Sequence, residues 1–195
     1  PIRQDVGLVT GKIYKITFTL NISSGNMFFQ VGGGSTSYTT SGTYTIYEEA
    51  TSHVSLSAFI SIFSTVSSVF TLDNVSVKEV GQDWGFGTGW SMGDGKAVAT
   101  SGTGSKLTQN ISGLSGKSVE VTFTLSNVTS GGVIVDFGST TAATISTNGT
   151  HTVYGTYDIN QFELYKGGGF SGSVDNISVK EVGQHWTPTG TWIIE

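Results

Sequence analysis

The sequence predicts an all-β protein made of two tandem antiparallel β-sandwich domains with jelly-roll topology. Its apolar residues are mostly Val, Ile, Phe and Tyr, which favour strands, and only 2 of its 195 residues are proline. Several segments alternate apolar and polar residues with a period of two, as half-buried strands do. A thirteen-residue motif also occurs twice, so the chain contains a repeat.

The repeated motif sets the domain boundaries. Residues 72–84 read LDNVSVKEVGQDW and residues 174–186 read VDNISVKEVGQHW, so ten of the thirteen positions are identical. Asp175 lies 102 positions after Asp73, a spacing that matches the usual size of one domain. We therefore expect one domain over residues 1–80, a second over residues 81–182, and the opening of a third repeat over residues 183–195.

Matched segments in the two copies predict the strands. Residues 12–21 (KIYKITFTLN) alternate strictly, and residues 117–127 repeat the pattern with the same TFTL. Glycine-containing turns (SSG and TSGG) follow, and the motif at the end of each copy forms the closing strand. Two further matched pairs of strands lie between these: 26–31 with 132–137, and 42–47 with 149–154. The copies differ most at 59–70, which is apolar, and at 166–173, which is rich in glycine.

The first domain is expected to lack its opening strand or strands. Residues 1–12 align with residues 106–117, so nothing in the first copy corresponds to the opening segment that begins at Trp84. Residues 183–195 repeat that opening, with Trp186 and Trp192 in the places of Trp84 and Trp90. Either the chain is part of a larger repeat protein that completes the sandwich in line, or the tail of one copy pairs with an open edge near residues 12–21 of another.

Composition excludes several classes of partner. With 9 Lys and Arg against 14 Asp and Glu, the formal charge of −5 leaves no basic patch for nucleic acid. No apolar run is long enough for membrane insertion. The histidines at 53, 151 and 185 are far apart in sequence, and no isolated pair of carboxylates stands out, so we expect no enzyme activity.

Three stretches carry a resemblance to a known family: DNVSVKEVG, GTGWSMGDGKA and GKSVEVTFTLSN. With them the chain resembles the jelly-roll repeats, similar to carbohydrate-binding modules, of bacteriophage tail, fibre and other virion proteins and of some bacterial surface proteins. The resemblance implies a virion or extracellular cell-surface location and glycans and other virion or fibre subunits as partners. We expect either a homo-oligomer or part of a larger repeat protein. It also implies a structural calcium ion at Asp73 and Asp175, and no other cofactor is expected.

Glycan binding requires flat aromatic faces together with a few polar groups. The candidates are Tyr154, Tyr157 and Tyr165, which we expect to form a ladder on one sheet beside Glu163, and Trp90. The alternative for Trp90 is a place in the core, and the tyrosines have the alternative of an ordinary sheet surface.

The remaining tryptophans are expected at interfaces. Trp84 and Trp186 lie at the domain junctions, and Trp192 follows in the tail. The functional hypothesis is a non-enzymatic structural protein of a virion or surface, a phage fibre or decoration protein that contacts host glycans. The alternatives are a carbohydrate-binding region of a polysaccharide-degrading enzyme and a filament subunit that exchanges strands.

Overall fold

The structure is a computed structural model that describes residues 1–31, 33–51, 59–102 and 104–183. Over these residues the protein consists of antiparallel β-strands, and no described residue lies in a helix, so the predicted all-β fold is confirmed. The chain divides into two compact units, Pro1–Gln82 and Asp83–Glu195. None of the described residues forms a helix that is long and apolar enough to cross a membrane.

The described residues of unit 1 form seven strands in two sheets. A four-stranded sheet has the order β1-β6-β3-β4, and a three-stranded sheet has the order β5-β2-β7. The strands are β1 (Ile2–Asp5), β2 (Ile13–Ser24), β3 (Met27–Val31), β4 (Gly34–Tyr38), β5 (Gly42–Glu49), β6 (Phe59–Phe63) and β7 (Val69–Val80).

The core of unit 1 lies between these two sheets. Alternation in β2 buries Ile16, Phe18 and Leu20, as the sequence predicts. The ring of Phe18 stacks on Phe29 of the other sheet, with centroids 5.0 Å apart and planes 8° from parallel. Aromatic contacts of this kind join the two layers of the sandwich.

In unit 2 seven strands are formed by residues that the structure describes, and two of them are unusually long. They are β8 (Trp84–Phe86), β9 (Trp90–Gly93), β10 (Lys96–Ala99), β11 (Lys106–Asn110), β12 (Ser118–Asp136), β13 (Gly149–Thr156) and β14 (Gln161–Glu181). The first half of β12 pairs with β13 and with the second half of β14, which also pairs with β10. The other halves of β12 and β14 pair with each other, and β11 and β8 continue that layer.

The long strands thus pass from one layer of the sandwich to the other. The register of β12 and β14 shifts near residues 126–132, where the strands bend. The turn expected at the TSGG of residues 129–132 is therefore wrong, because β12 continues through it. Gly131 has φ 59°, and a Cβ there would meet the backbone of β14 within 3 Å, so glycine lets the two strands stay close at the bend. One core, which includes Phe123, Leu164 and Phe170, is shared by both layers.

Most strands of the two units correspond, but β4 of unit 1 is matched in unit 2 only by the isolated bridges Val133–Ile145 and Asp136–Thr141. β1 corresponds to β11, β2 and β3 to β12, β5 to β13, and β6 and β7 to β14. The described residues of unit 1 contain no counterpart of β8, β9 or β10. Both β1 and β7 are consequently end strands in unit 1, paired on one side only within the described residues.

The location predicted for the open edge is wrong. It was expected near residues 12–21, but β2 pairs with β5 on one side and with β7 on the other. A central strand has its backbone groups occupied on both sides, so it cannot accept a further strand. Among the described strands of unit 1, the ends of the two sheets are β1, β4, β5 and β7.

Candidate functional site

A cluster of charged side chains lies on the outer face of the layer formed by β11, β14 and β12. Phe162 and Leu164 of β14 point into the core, so the residues that alternate with them, Glu163 and Tyr165, point outward. Glu163 is paired with Thr108 of β11 on one side and with Asp136 of β12 on the other.

Lys106 of β11 links this cluster. Its Nζ lies 2.6 Å from Oε2 of Glu163 and 3.9 Å from Oδ2 of Asp136. The same ammonium group lies 4.4 Å from the centroid of the Tyr165 ring, within the distance of a cation–π interaction. We call Lys106, Asp136, Glu163 and Tyr165 the lysine-centred cluster.

Both carboxylates of the cluster are largely removed from solvent. The side chains of Glu163 and Asp136 are 7% and 8% exposed, whereas that of Lys106 is 34% exposed. Oδ1 of Asp136 also accepts a hydrogen bond from the backbone N–H of Gly138 at 3.0 Å. Acidic residues are rarely buried on the outer face of a sheet, so this arrangement is a candidate binding site.

Electrostatics favour the charged form of Lys106. Burial lowers the pKa of its ammonium group, but hydrogen bonding and charge interaction with Glu163 and Tyr165 outweigh burial, and the pKa is raised. The cluster thus combines one ammonium group with two carboxyl groups.

Polar groups continue the site along the same strands. Nε2 of Gln161 donates a hydrogen bond to Oδ1 of Asn110 at 2.9 Å. These two residues are paired two positions along the strands from the pair of Thr108 and Glu163, on the same face. Gly85 of β8 is paired with Thr108 and has no side chain to cover this face. The arrangement offers amide, hydroxyl, ammonium and carboxylate groups beside one aromatic ring.

The predicted tyrosine ladder does not form. Tyr154 is 46% exposed, but it lies on the other layer, where its hydroxyl donates to Oε2 of Glu120 at 2.9 Å. Tyr157 is fully buried and packs edge-on against Phe137 with centroids 5.0 Å apart, so a ligand at the surface cannot reach it. Only Tyr165 of the three lies beside Glu163.

Trp90 occupies the core, and the alternative of packing is the one the structure shows. It is 6% exposed, its ring lies 5.9 Å from that of Phe170, and its Nε1 donates to the carbonyl of Ser105 at 3.3 Å. A ligand role for Trp90 is therefore wrong, because its indole has no exposed face large enough for a sugar ring.

Trp84 is half-buried and contacts Phe162 edge-on, with centroids 5.8 Å apart. It also borders a cavity of about 180 Å³ inside unit 2, together with Leu107, Asp175 and Ile177. Its expected interface role stays a prediction. Trp186 and Trp192 lie outside the described residues.

Asp73 and Asp175 have the same structural role in the two units. Oδ1 of each accepts the backbone N–H of the next residue, Asn74 or Asn176, at 2.7 Å. Those asparagines have φ of 54° and 52°, and the strand register shifts beside them, so each aspartate supports a β-bulge.

The oxygen atoms supplied by these aspartates are too few to form a calcium site by themselves. Calcium takes six to eight oxygen ligands, whereas each bulge supplies one carboxylate with one oxygen already hydrogen-bonded. Within the described ranges, no three His, Asp or Glu side chains lie close enough together to hold a metal ion. A calcium role for Asp73 and Asp175 stays a prediction.

Sequence reasoning missed Lys106 and Asp136. The sequence signal for Asp136 is a single carboxylate among the apolar residues of VIVDF (residues 133–137). Glu163 is likewise a single carboxylate among the apolar residues of FELY (residues 162–165). Recognising that they meet requires the register of β12 and β14, which the sequence does not supply.

The comparisons with known proteins leave the site to be judged on its own geometry. A scan against protein-family models found no match for this chain, and a search of curated proteins found no matching relative.

Proposed function

We propose that this chain is a non-enzymatic structural protein of a virion or cell surface, and that unit 2 binds glycans at the lysine-centred cluster. The observation that supports the proposal is the meeting of Lys106, Glu163 and Asp136 beside the Tyr165 ring on one sheet face. A sugar presents hydroxyl groups that both donate and accept hydrogen bonds, and the cluster offers both kinds of partner.

The geometry also indicates how a sugar would bind. The Lys106 ammonium lies over one face of the Tyr165 ring, 4.4 Å from its centroid. Lys106 is 34% exposed, so its side chain has room to swing away from the ring while it stays paired with Glu163. The freed ring then gives an apolar surface for a sugar, and the charged groups orient its hydroxyls.

The charge of the cluster limits the class of glycan. Two carboxylates and one ammonium give a net negative site, which repels sialic and uronic acids and favours neutral or amino sugars. Binding without catalysis is supported by the engagement of both carboxylates with Lys106 rather than with solvent.

A glycan array with neutral, amino and acidic sugars tests the proposal. Tyr165→Ala should weaken binding at least tenfold, and Glu163→Gln should weaken it as well. Tyr154→Ala is the matched control, because Tyr154 is an exposed tyrosine on the other layer, and it should bind as the parent does. Absence of binding to any neutral or amino glycan, or binding that survives Tyr165→Ala, would refute the proposed site.

A further inference from the structure

A cavity of about 180 Å³ lies inside unit 2, apart from the lysine-centred cluster on the outer face of the sheet. Asp175 and Asn176 of β14 form its polar border. Strands of both layers supply most of its apolar border: Trp84, Phe86, Leu107, Met92, Ala97 and Val174. Because both layers contribute, the fold itself holds the walls of the cavity in place.

The size and depth of the cavity suit one aromatic ring. Trp84 and Phe86 are half-buried, whereas Leu107 and Val174 belong to the core, so the cavity leads from the surface toward the core. An apolar cavity of about 150 Å³ is large enough to take up benzene. Water needs about two to four polar partners to be held in a cavity, so an apolar ring displaces it readily from walls of this kind.

The half-buried carboxylate of Asp175 sets the charge that a ligand should carry. Its Oδ1 accepts the backbone N–H of Asn176 at 2.7 Å. Among the described residues, its Oδ2 has neither a hydrogen bond nor an ion pair. Opposite charges attract more strongly where water is partly excluded, so a carboxylate at the border of an apolar cavity favours a cation.

We propose that this cavity binds a small arylalkyl ammonium ion, with its ring beside Leu107 and Val174 and its ammonium group at Asp175. The ring replaces water at apolar walls, and the ammonium group donates a hydrogen bond to the second oxygen of the carboxylate. The indole of Trp84 also favours a cation at this border, because its π electrons attract positive charge. A neutral ligand of the same shape lacks the ion pair, and an anionic one is repelled.

Methyl NMR of the methionines gives a local readout of binding. The chain has two methionines. Met92 borders the cavity, whereas Met27 is fully buried in the core of unit 1 and serves as the internal control.

Three probes that share one ring test the proposal on the full-length chain. Benzylamine is an ammonium ion at neutral pH, benzyl alcohol is neutral and benzoate is an anion. A calcium chelator is included so that no metal ion competes for Asp175. Titration with benzylamine should shift the Met92 signal and leave the Met27 signal unchanged, with a dissociation constant of about 1 mM for a ligand of this size.

The preference for a cation is the decisive result. Benzylamine should bind about fivefold more tightly than benzyl alcohol, the upper range for a partly exposed ion pair, and benzoate should bind most weakly. Asp175→Asn should reduce the affinity for benzylamine to that for benzyl alcohol. The matched control Asp73→Asn makes the same change in the corresponding bulge of unit 1 and should leave the affinities unchanged.

Ala97→Leu enlarges a side chain at the border of the cavity and should weaken the binding of both benzylamine and benzyl alcohol. Ala97→Val is the smaller change if leucine lowers the melting temperature. A Met92 signal that benzylamine does not shift would overturn the proposal. Equal affinities of the parent for benzylamine and benzyl alcohol, or a preference for benzylamine that Asp175→Asn leaves intact, would overturn it as well.

Discussion

The two units have corresponding strands, but the outer faces of the corresponding layers carry different residues. In unit 2, the three paired positions at the centre of this face are Thr108, Glu163 and Asp136, linked by Lys106. The corresponding positions in unit 1 are Arg3, Ser61 and Gln30, in which Ser61 pairs with both of the others. The difference indicates that the repeat fixes the sandwich and leaves the face free to vary.

The next pair of positions shows the same contrast. Ile134 and Tyr165 in unit 2 correspond to Phe28 and Phe63 in unit 1, whose rings stack with centroids 5.0 Å apart and planes 7° from parallel. Unit 1 therefore presents an aromatic pair where unit 2 places an aromatic ring beside an ammonium group. We expect the glycan site in unit 2 only.

The largest expected effect concerns the matched core phenylalanines, Phe18 and Phe123. Both are fully buried, so Phe→Ala at either should cost about 3–5 kcal/mol of unfolding free energy. Phe18 also contacts three aromatic rings at 5.0–5.2 Å, whereas Phe123 contacts His151 at 5.8 Å. Denaturant unfolding should show the greater loss for Phe18→Ala, and an equal or smaller loss would contradict the packing described for unit 1.

Lys106→Met tests the cluster as a structural unit. It leaves two buried carboxylates without a cation, at an expected cost of about 2 kcal/mol, less than for a fully buried pair because Lys106 is partly exposed. The control Lys117→Met breaks the exposed pair with Glu181 and should cost under about 1 kcal/mol.

Adding Glu163→Gln to Lys106→Met should recover part of the lost stability, because it removes one uncompensated charge. Thermal unfolding of the single and double variants provides the comparison. A Lys106→Met variant as stable as the parent would show that the cluster does not depend on this ion pair.

Alkaline pH should distinguish the buried tyrosines of the two units. Burial raises the pKa of Tyr157, and the charges of Asp136 and Glu163 raise it further. Burial likewise raises the pKa of Tyr38 in unit 1, followed by Glu48 and Tyr44. In the unfolded chain each phenol ionises near its ordinary pKa of 10.0.

Because the folded protein holds these protons more tightly, their contribution to stability is complete below pH 10 and declines above it. The decline is about 1.4 kcal/mol per pH unit for each phenol that stays protonated in the fold. Tyr157→Phe should remove more of this alkaline decline than Tyr38→Phe, since Tyr157 has the larger pKa rise. Denaturant titrations from pH 9 to 11 measure it, and identical slopes in parent and both variants would be inconsistent with buried neutral phenols.

The smallest expected effect is one that the two units should share. Asp73→Ala and Asp175→Ala each remove a hydrogen bond to a bulge N–H, at about 1 kcal/mol each. Asp→Asn keeps an accepting oxygen and should cost less. Comparing melting temperatures with calcium and with chelator also tests the predicted metal role, because a calcium-dependent shift that Asp175→Asn abolishes would support it.

The sequence predicted the strands well where one alternation pattern ran through a segment. The predicted strand over residues 12–21 overlaps β2 (Ile13–Ser24) in all but its first residue, and the TFTL repeats marked matching core positions. The prediction failed where β12 and β14 bend between the layers. The glycines at the bend are typical of turns, but the two strands are paired on both sides of them.

The site was predicted only in part for a related reason. Tyr154, Tyr157 and Tyr165 look equivalent in sequence. In the structure Tyr154 lies on one layer, Tyr157 lies in the core and Tyr165 lies on the other layer. Alternation gives the face of a strand, but the assignment of a strand to a layer depends on pairing between distant residues. Glu163 and Tyr165 were found because they are two positions apart on one strand.

The claim that unit 1 is the same sandwich as unit 2, with no counterpart of β8, β9 or β10 among its described residues, is tested most directly by supplying those strands. Residues 83–105 can be placed before Pro1, which reproduces the spacing that unit 2 has before Lys106. The readout is amide hydrogen exchange at residues 70–72 of β7, the counterparts of residues 172–174, which pair with β10. We predict that exchange at 70–72 slows to resemble that at 172–174 and that unit 1 unfolds at higher denaturant. Unchanged exchange and unchanged stability after the addition would contradict the claim.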